Sequence, residues 1–150
     1  MKIRYRKLPD ILDPTTYSHY PYLQVCIRYQ QNAGQPLFAL VDSGAIDTLF
    51  PAALGDTLGI DVLSGERKVY FGIGGHAAVG YIHECDMQVS GFNTWIKMRI
   101  GFLDTIRIPL LGQSGFFENY QVLFERFRYQ FEIYPKIDAL IRGSRGRRRR

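Results

Sequence analysis

The sequence has few of the residues that build covalent or metal-held structures, and it has no long apolar run. It contains 2 cysteines and 3 histidines in 150 residues. Cys26 and Cys85 are too few for the disulfide framework of a small secreted protein, which favours a reducing compartment. No apolar stretch approaches the ~20 residues of a membrane-spanning helix, and none follows the basic start as a secretory signal would require. We therefore expect a cytoplasmic protein without a membrane span.

The sequence also lacks a basic surface outside one short segment. Its 19 Lys and Arg against 14 Asp and Glu give a net charge of +5. Six of the arginines lie in residues 142–150, which leaves 13 basic against 14 acidic side chains, a charge of −1, elsewhere. A segment of this composition is typical of a disordered tail, and we favour a solvated end or processing remnant. Nucleic-acid binding through the tail is the less favoured interpretation.

What the sequence does have is aromatic residues in alternating patterns. Its 10 Tyr and 10 Phe, and a length suited to one domain, favour a β-rich globular fold. No repeat occurs at a fixed period, and no segment is long enough for the helical crossovers of a parallel sheet. Residues 1–20 are expected to form an extended arm. Strands are predicted at residues 22–29, 36–41, 69–71, 77–84, 87–89, 93–100, 106–111, 121–124 and 129–134, with a helix at 51–59 and one or two helical turns at 114–120.

One acidic residue stands where acids are disfavoured. Asp42 directly follows residues 36–41, a nearly continuous apolar run that is predicted to be buried on both faces. A charge in such surroundings costs several kcal/mol unless it is paired or hydrogen-bonded. Ser43 and Gly44 could supply an Asx-type turn that caps the strand, and an isolated Asp-Ser-Gly is more often such a turn than a site.

Three motifs in order give this acid a different meaning. Residues 41–45, Val-Asp-Ser-Gly-Ala, resemble the catalytic loop of retropepsin-like aspartic proteases. Residues 72–75, Gly-Ile-Gly-Gly, resemble the tip of the flap that closes over substrate in that family. Residues 110–112, Leu-Leu-Gly, resemble the second signature, which lies against the catalytic loop. The resemblance covers about residues 22–134 and implies a mostly β, closed-barrel-type pepsin/retropepsin-like fold with one or two short helices.

The resemblance implies an aspartic endopeptidase that uses neither metal nor cofactor. Peptide hydrolysis of this kind needs one group that takes a proton from water and another that gives one to the carbonyl oxygen. Two carboxyls held close together cannot both ionise, so the pair supplies both roles. The sequence has one Asp-Ser-Gly and no room for a second lobe, so the second carboxyl is expected from another copy in a homodimer. The partners are then a second copy and a peptide or protein substrate.

Individual residues receive roles from the same resemblance. Asp42 is the catalytic acid, Ser43 would hydrogen-bond across the two-fold axis, and Gly44 lets backbone lie close to substrate. Asp47 would either bind substrate or cap the turn before Thr48, and the sequence does not decide. The predicted substrate-binding residues are Ala45, Asp47, Gly72, Ile73, Gly74, Gly75, Leu110 and Leu111, and the apolar cleft wall is predicted to comprise Val41, Ile73, Leu110 and Leu111.

Two features depart from the retroviral pattern. Retroviral members carry an Asp after the Ala of the loop and an Arg after the later Gly, where this sequence has Ile46 and Gln113. The chain also continues through a predicted hairpin at residues 121–134, where retroviral enzymes end, as cellular and bacterial relatives do. The predicted organisation is an arm at residues 1–20, a protease domain at 21–135 and a basic tail at 136–150.

Other interpretations have weaker support. Residues 72–77 match a dinucleotide fingerprint, but residues 79–82 favour a strand where that motif needs a helix. His76, His83, Cys85 and Asp86 could suggest a metal, but His83 and Cys85 share a strand face from which Asp86 points away. Cys26 lies within a predicted strand and has no orienting base in the sequence. A catalytically silent, dimeric peptide-binding module on the same fold is the remaining alternative.

Overall fold

A computed structural model describes residues 1–10, 12–72 and 75–136. Ile73, Gly74 and the predicted tail from residue 137 onward lie outside these residues. The strands are β1 (Lys2–Arg4), β2 (Arg6–Pro9), β3 (Tyr17–Tyr20), β4 (Tyr22–Tyr29), β5 (Asn32–Ala33), β6 (Leu37–Val41), β7 (Leu49–Pro51), β8 (Glu66–Phe71), β9 (Ala77–Val89), β10 (Ile96–Leu103), β11 (Leu110–Leu111), β12 (Tyr120–Glu125) and β13 (Gln130–Pro135), with helix α1 (Ala52–Thr57) and 3-10 turns at Val62–Ser64 and Arg126–Arg128.

Most of the chain forms a closed barrel. Eight strands pair in the order β5-β4-β6-β11-β7-β10-β9-β8, and β4 also pairs with β9, which closes the sheet. At the closure Val25 lies opposite Val89 and Ile27 opposite Met87, and all four side chains are fully buried. Burial of these apolar side chains is the main source of stability for such a fold. The mostly β, closed-barrel fold predicted from the sequence is confirmed.

The short strand β11 lies between β6 and β7. It runs parallel to β6, with Leu111 opposite Val41, and antiparallel to β7, with Leu110 opposite Leu49. The chain that leaves β6 and returns as β7 must therefore cross the end of β11. This crossing segment, residues 42–48, is called the Asp42 loop below.

The predicted arm is made of paired strands. β1 adds to the β13–β12 hairpin in a three-stranded sheet, where Ile3 lies opposite Phe131. β2 and β3 form a separate hairpin, from which the Arg6 guanidinium lies 3.8 Å from the centre of the Phe38 ring. The division of the chain at residues 20 and 135 remains a prediction.

Three local expectations differ from the structure. Phe38 in β6 is 40% exposed, so this strand is not buried on both faces; the Arg6 contact covers part of its ring. Only the last two residues of the strand predicted at 106–111 pair, as β11. Residues 115–119 form turns, of which one is closed like a helical turn by the Tyr120 N–H and the Phe116 carbonyl at 3.0 Å. A longer helix is interrupted because Gly115 has a φ of +91°.

The remaining elements follow the sequence pattern. α1 begins after Pro51, and Gly59 just beyond it has a φ of +77°, which suits the glycine that ends a helix. β8 and β9 form the hairpin around the glycine-rich segment, with Phe71 opposite Ala77. In the described part of the chain no helix is both long and apolar enough to cross a bilayer.

Candidate active site

Asp42 lies at the end of β6, where the barrel strand opens into the loop. Its backbone N–H donates to the Leu111 carbonyl at 3.0 Å. Its carboxylate Oδ1 accepts a hydrogen bond from the Gly44 N–H at 2.9 Å, which forms the Asx-type turn that the sequence predicted as one interpretation. The carboxylate is half-buried, and Ser43 and Gly44 are exposed. The turn therefore holds the acid in a fixed orientation at an accessible position.

Backbone hydrogen bonds fasten the Asp42 loop to the residues that follow β11. The Gln113 N–H donates to the Ala45 carbonyl at 2.9 Å, and the Ser114 N–H to the Ile46 carbonyl at 2.8 Å. The Thr48 N–H in turn donates to the Ser114 carbonyl at 3.0 Å. These bonds satisfy the polar backbone of a loop that would otherwise be buried without partners. The two predicted signatures are thus brought together as one unit.

The Thr48 hydroxyl is the centre of this unit, and sequence reasoning missed it. It is fully buried, donates to the Ser114 carbonyl at 2.9 Å, and accepts from the N–H groups of Gly112 and Phe116 at 3.2 Å each. A hydroxyl has one proton and two lone pairs, so every bond it can make is made. Its place before the apolar Leu49 and Phe50 indicates burial, but nothing in the sequence indicates its partners, which lie 64 to 68 residues further along the chain.

Position 112 requires a glycine because the Asp42 loop crosses the end of β11 very close to it. A Cβ at this position would lie 2.2 Å from the Asp47 carbonyl oxygen and 2.8 Å from that of Ala45. Both contacts are with backbone, which cannot rotate away as a side chain can. The glycine of the Leu-Leu-Gly motif therefore lets the Asp42 loop lie directly on the end of β11.

Gln113 supplies a hydrogen bond where the retroviral pattern has an ion pair. Its side-chain Nε2 donates to the Ser43 carbonyl at 2.7 Å. Ile46, at the position of the missing acid, is 70% exposed. The amide of Gln113 thus braces the carbonyl next to Asp42 without needing a charged partner.

Removal of this brace should loosen the Asp42 loop. Gln113→Met keeps the side-chain length but leaves no donor, and the loss of one hydrogen bond should lower the free energy of unfolding by about 0.5–1.5 kcal/mol. Urea unfolding measures this change, and Gln121→Met on the exposed face of β12 is the matched control. Gln113→Arg, which keeps a donor, should be less affected than Gln113→Met. Equal unfolding midpoints for Gln113→Met and Gln121→Met would contradict the role of the amide.

Asp47 neither caps the turn through its side chain nor faces solvent. The residue is 8% exposed, and its carboxylate lies 2.5 Å from the ammonium of Lys68 in β8. Tyr70 lies beside it, and burial together with the Asp47 carboxylate raises the pKa of the Tyr70 hydroxyl. The substrate-binding role of Asp47 remains a prediction, and the carboxylate already has a partner within the chain.

The glycine hairpin is formed by β8, β9 and the residues between them, and both strands belong to the barrel sheet. A Cβ at Gly72 or at Gly75 would meet no atom within 4 Å. Gly75 has a φ of +78°, which favours glycine, and its N–H donates to the Gly72 carbonyl at 3.0 Å. The predicted substrate contacts at Ile73 and Gly74 lie outside the described residues. The described part is a hairpin with an open glycine end.

The predicted cleft wall is only partly available. Leu111 is fully buried and Val41 is 4% exposed, because both side chains lie in the barrel core. These two residues support the Asp42 loop from below and present almost no side-chain surface to a ligand. Leu110 and Ala45 are partly exposed, and their roles in substrate binding remain predictions.

Cys26, Cys85 and His83 have the surroundings of residues that support the fold. Burial raises the pKa of the Cys85 thiol to about 12, and the Cys26 thiol, whose pKa is also raised by burial, lies 3.0 Å from the Gly34 carbonyl. A His83 ring nitrogen lies 2.9 Å from the Val62 carbonyl, and Asp86 pairs with Arg28 at 2.9 Å. Within the described residues no three His, Cys, Asp or Glu side chains are grouped as a metal site would require.

Solved structures of known proteins resemble this one, two proteases among them. The retropepsin-like aspartic protease from Rickettsia conorii matches with a TM-score of 0.56 and 13% identity, over 89% of this chain and 98% of that one. The EIAV protease complexed with the inhibitor HBY-793 matches with a TM-score of 0.48 and 24% identity, over 63% of this chain and 82% of that one. The first match covers nearly all of both chains, and the chain therefore has the retropepsin-like fold. No protein-family model and no curated protein matches the sequence.

Proposed function

We propose that the chain is an aspartic endopeptidase whose active site forms between the Asp42 residues of two copies. The observation that carries the proposal is the placement of Asp42: an accessible carboxylate on a braced loop, at the end of a barrel strand in the retropepsin-like fold. In the described part of the chain no lysine, arginine or histidine forms an ion pair with it. Within the described residues Asp42 therefore does not stabilise the fold through an ion pair, which favours a chemical role for its carboxylate.

The chemistry follows from two such carboxylates facing each other. One removes a proton from a water molecule as that water attacks the scissile carbonyl, and the other donates a proton to the carbonyl oxygen. The Gly44 N–H fixes the orientation of each carboxylate, and the braced loop keeps that orientation during turnover. A single chain supplies one carboxyl of this kind, so it holds half of the site.

The glycine hairpin is assigned the role of the flap. A Cβ at Gly72 or at Gly75 would meet no atom within 4 Å, which supports a hairpin end with room to move over a bound peptide. Ser43 is exposed next to Asp42, where it is available for a bond to the partner loop. These assignments belong to the proposal.

The dependence on pairing can be tested by dilution. We expect hydrolysis of a diverse peptide library at pH 4–7 to be blocked by a statine-type inhibitor, with specific activity that rises with enzyme concentration and then reaches a plateau. The midpoint should coincide with the monomer–dimer midpoint from sedimentation, because a monomer holds half a site. Constant specific activity in samples that sedimentation shows to be monomeric would refute the shared site.

Mixed chains provide the control for the dilution test. An excess of Asp42→Asn chains should suppress wild-type activity through heterodimers, whereas an excess of inactive unrelated protein should not. A protein that binds peptides from the library and cleaves none at any concentration would instead be the silent binding module.

A further inference from the structure

The Asp42 loop and the glycine hairpin are joined by one buried carboxylate. Asp47 belongs to the loop, and its side chain is 11% exposed. Its carboxylate lies 2.5 Å from the Lys68 ammonium, which β8 contributes from the first half of the hairpin. The backbone at Asp47 is itself bridged to Ser114, so the carboxylate is held from below. The ion pair therefore links a fixed point in the loop to a strand of the hairpin.

Tyr70 extends the link along the same face of β8. Lys68 and Tyr70 are two residues apart and are the less exposed residues of an alternating strand. The Lys68 ammonium lies 5.4 Å from the centre of the Tyr70 ring, and the Tyr70 hydroxyl is buried without a hydrogen-bond partner among the described residues. Tyr70 therefore packs beside the ion pair without adding a hydrogen bond to it.

Two glycines make room for this arrangement. A Cβ at Gly101 in β10 would lie 3.0 Å from the Tyr70 hydroxyl oxygen, and a Cβ at Gly80 in β9 would lie 3.0 Å from an atom of its ring. The Tyr70 ring therefore occupies space that side chains would take on the two neighbouring strands. This close packing fixes where β8 lies relative to the loop.

We infer that Asp47 is a positioning residue that ties the flap strand β8 to the Asp42 loop through Lys68, against which the Tyr70 ring packs. This inference rests on the proposed function, because it treats the glycine hairpin as the flap. A buried carboxylate that loses its cation is strongly disfavoured, so displacement of β8 is opposed as long as the pair is intact. The tie holds the base of the flap, at β8, near the binding position. In most molecules the flap is then already in the conformation that binds substrate.

A role of Asp47 as a substrate ligand predicts a different result from a role as a positioning residue. If its carboxylate were a substrate ligand, removal of Lys68 would free it and tighten the binding of peptides with basic residues. If Asp47 positions the flap, removal of either partner releases β8 and weakens binding of all peptides alike. The two roles therefore differ in the sign of the effect at Lys68.

The test compares Lys68→Met and Asp47→Asn with a second ion pair that β8 makes. Arg99 of β10 and Glu66 of β8 also lie 2.5 Å apart, but their side chains are 51% and 64% exposed and neither belongs to the Asp42 loop. Arg99→Met is the control. We expect Lys68→Met and Asp47→Asn each to raise KM about three- to tenfold with kcat changed less than about twofold, and the double variant to add nothing further. Arg99→Met should change neither constant by more than about twofold, and Lys68→Arg should restore most of the KM.

Hydrogen exchange provides a measurement that does not require catalysis. The amides of β8 should exchange about tenfold faster in Lys68→Met than in wild type, whereas those of β4 should be unchanged. Faster exchange in a protein that shows no hydrolysis would support the tie and refute the protease. Unchanged exchange in β8, or a lower KM for basic peptides in Lys68→Met, would overturn the inference while leaving the protease proposal intact.

Discussion

Asp42→Asn should lower kcat for peptide hydrolysis by about 10²- to 10⁴-fold or more, because it removes the group that exchanges protons with water and substrate. The substitution keeps the side-chain shape, and the Oδ1 of Asn can still accept the hydrogen bond from Gly44. The Asp42 loop should therefore retain its conformation, and pairing should be unaffected. Single-turnover kinetics on the best library peptide, together with sedimentation, separate these two outcomes.

The matched control for this substitution is Asp104→Asn. Asp104 is an exposed acid for which the structure gives no hydrogen bond or ion pair within the described residues. It should leave kcat within about twofold of wild type, since a solvated carboxylate outside the Asp42 loop is not part of the proposed site. If Asp42→Asn cleaved at the wild-type rate, the assignment of the catalytic acid would be wrong.

Gly112→Ala should lower the free energy of unfolding by about 3 kcal/mol, near the upper end for an overpacked buried site. The new methyl carbon would lie 2.2 Å from the Asp47 carbonyl oxygen, 2.5 Å from its carbonyl carbon and 2.8 Å from the Ala45 oxygen. Backbone conformation is not the cause, since Gly112 is not among the residues with positive φ. The Asp42 loop must lift away from β11, so the backbone bonds of the loop to Gln113 and Ser114 should weaken as well.

Gly72→Ala is the matched control for this effect. Its Cβ would meet no atom within 4 Å and its φ is not positive, so its unfolding midpoint in urea should stay close to that of wild type. If Gly112→Ala fails to fold at all, the expected destabilisation is exceeded. An unfolding midpoint for Gly112→Ala equal to that of Gly72→Ala would show that the loop does not lie on β11 as described.

The local pattern of the sequence was sufficient to predict most of the barrel. The strand at residues 22–29 was predicted with the bounds that the structure has, because its apolar residues alternate without interruption. The helix near residues 52–57 was marked by a proline before it and a glycine after it. Of the one or two helical turns predicted at residues 114–120, the structure has a single one, closed by the bond from the Tyr120 N–H to the Phe116 carbonyl. It begins no earlier, because the amides of Gly112 and Phe116 bind the Thr48 hydroxyl and Gly115 takes a positive φ.

The braces of the candidate site could not be predicted in the same way. Thr48 and Gln113 act on chain segments more than 60 residues away, and single-residue patterns carry no signal for such contacts. Lys68 lies in a strand whose charged sequence is typical of an exposed strand, and the sequence does not indicate that it is the partner of a buried acid. The motifs marked Asp42 and Gly112 by residue type alone: the structure has an Asx-type turn at the first and no space for a Cβ at the second.

The insertion of β11 between β6 and β7 also bears on the order in which the protein acquires its parts during synthesis. The Asp42 loop is bonded to residues as much as 70 positions further along the chain, and those residues leave the ribosome long after it. Contacts of such separation incur a large loop-closure entropy and form late in folding. Until β11 is in place, the Asp42 loop lacks the carbonyls and amides that hold its shape. A nascent chain therefore carries the acid without the geometry that orients it, which delays assembly of the site until most of the barrel has been made.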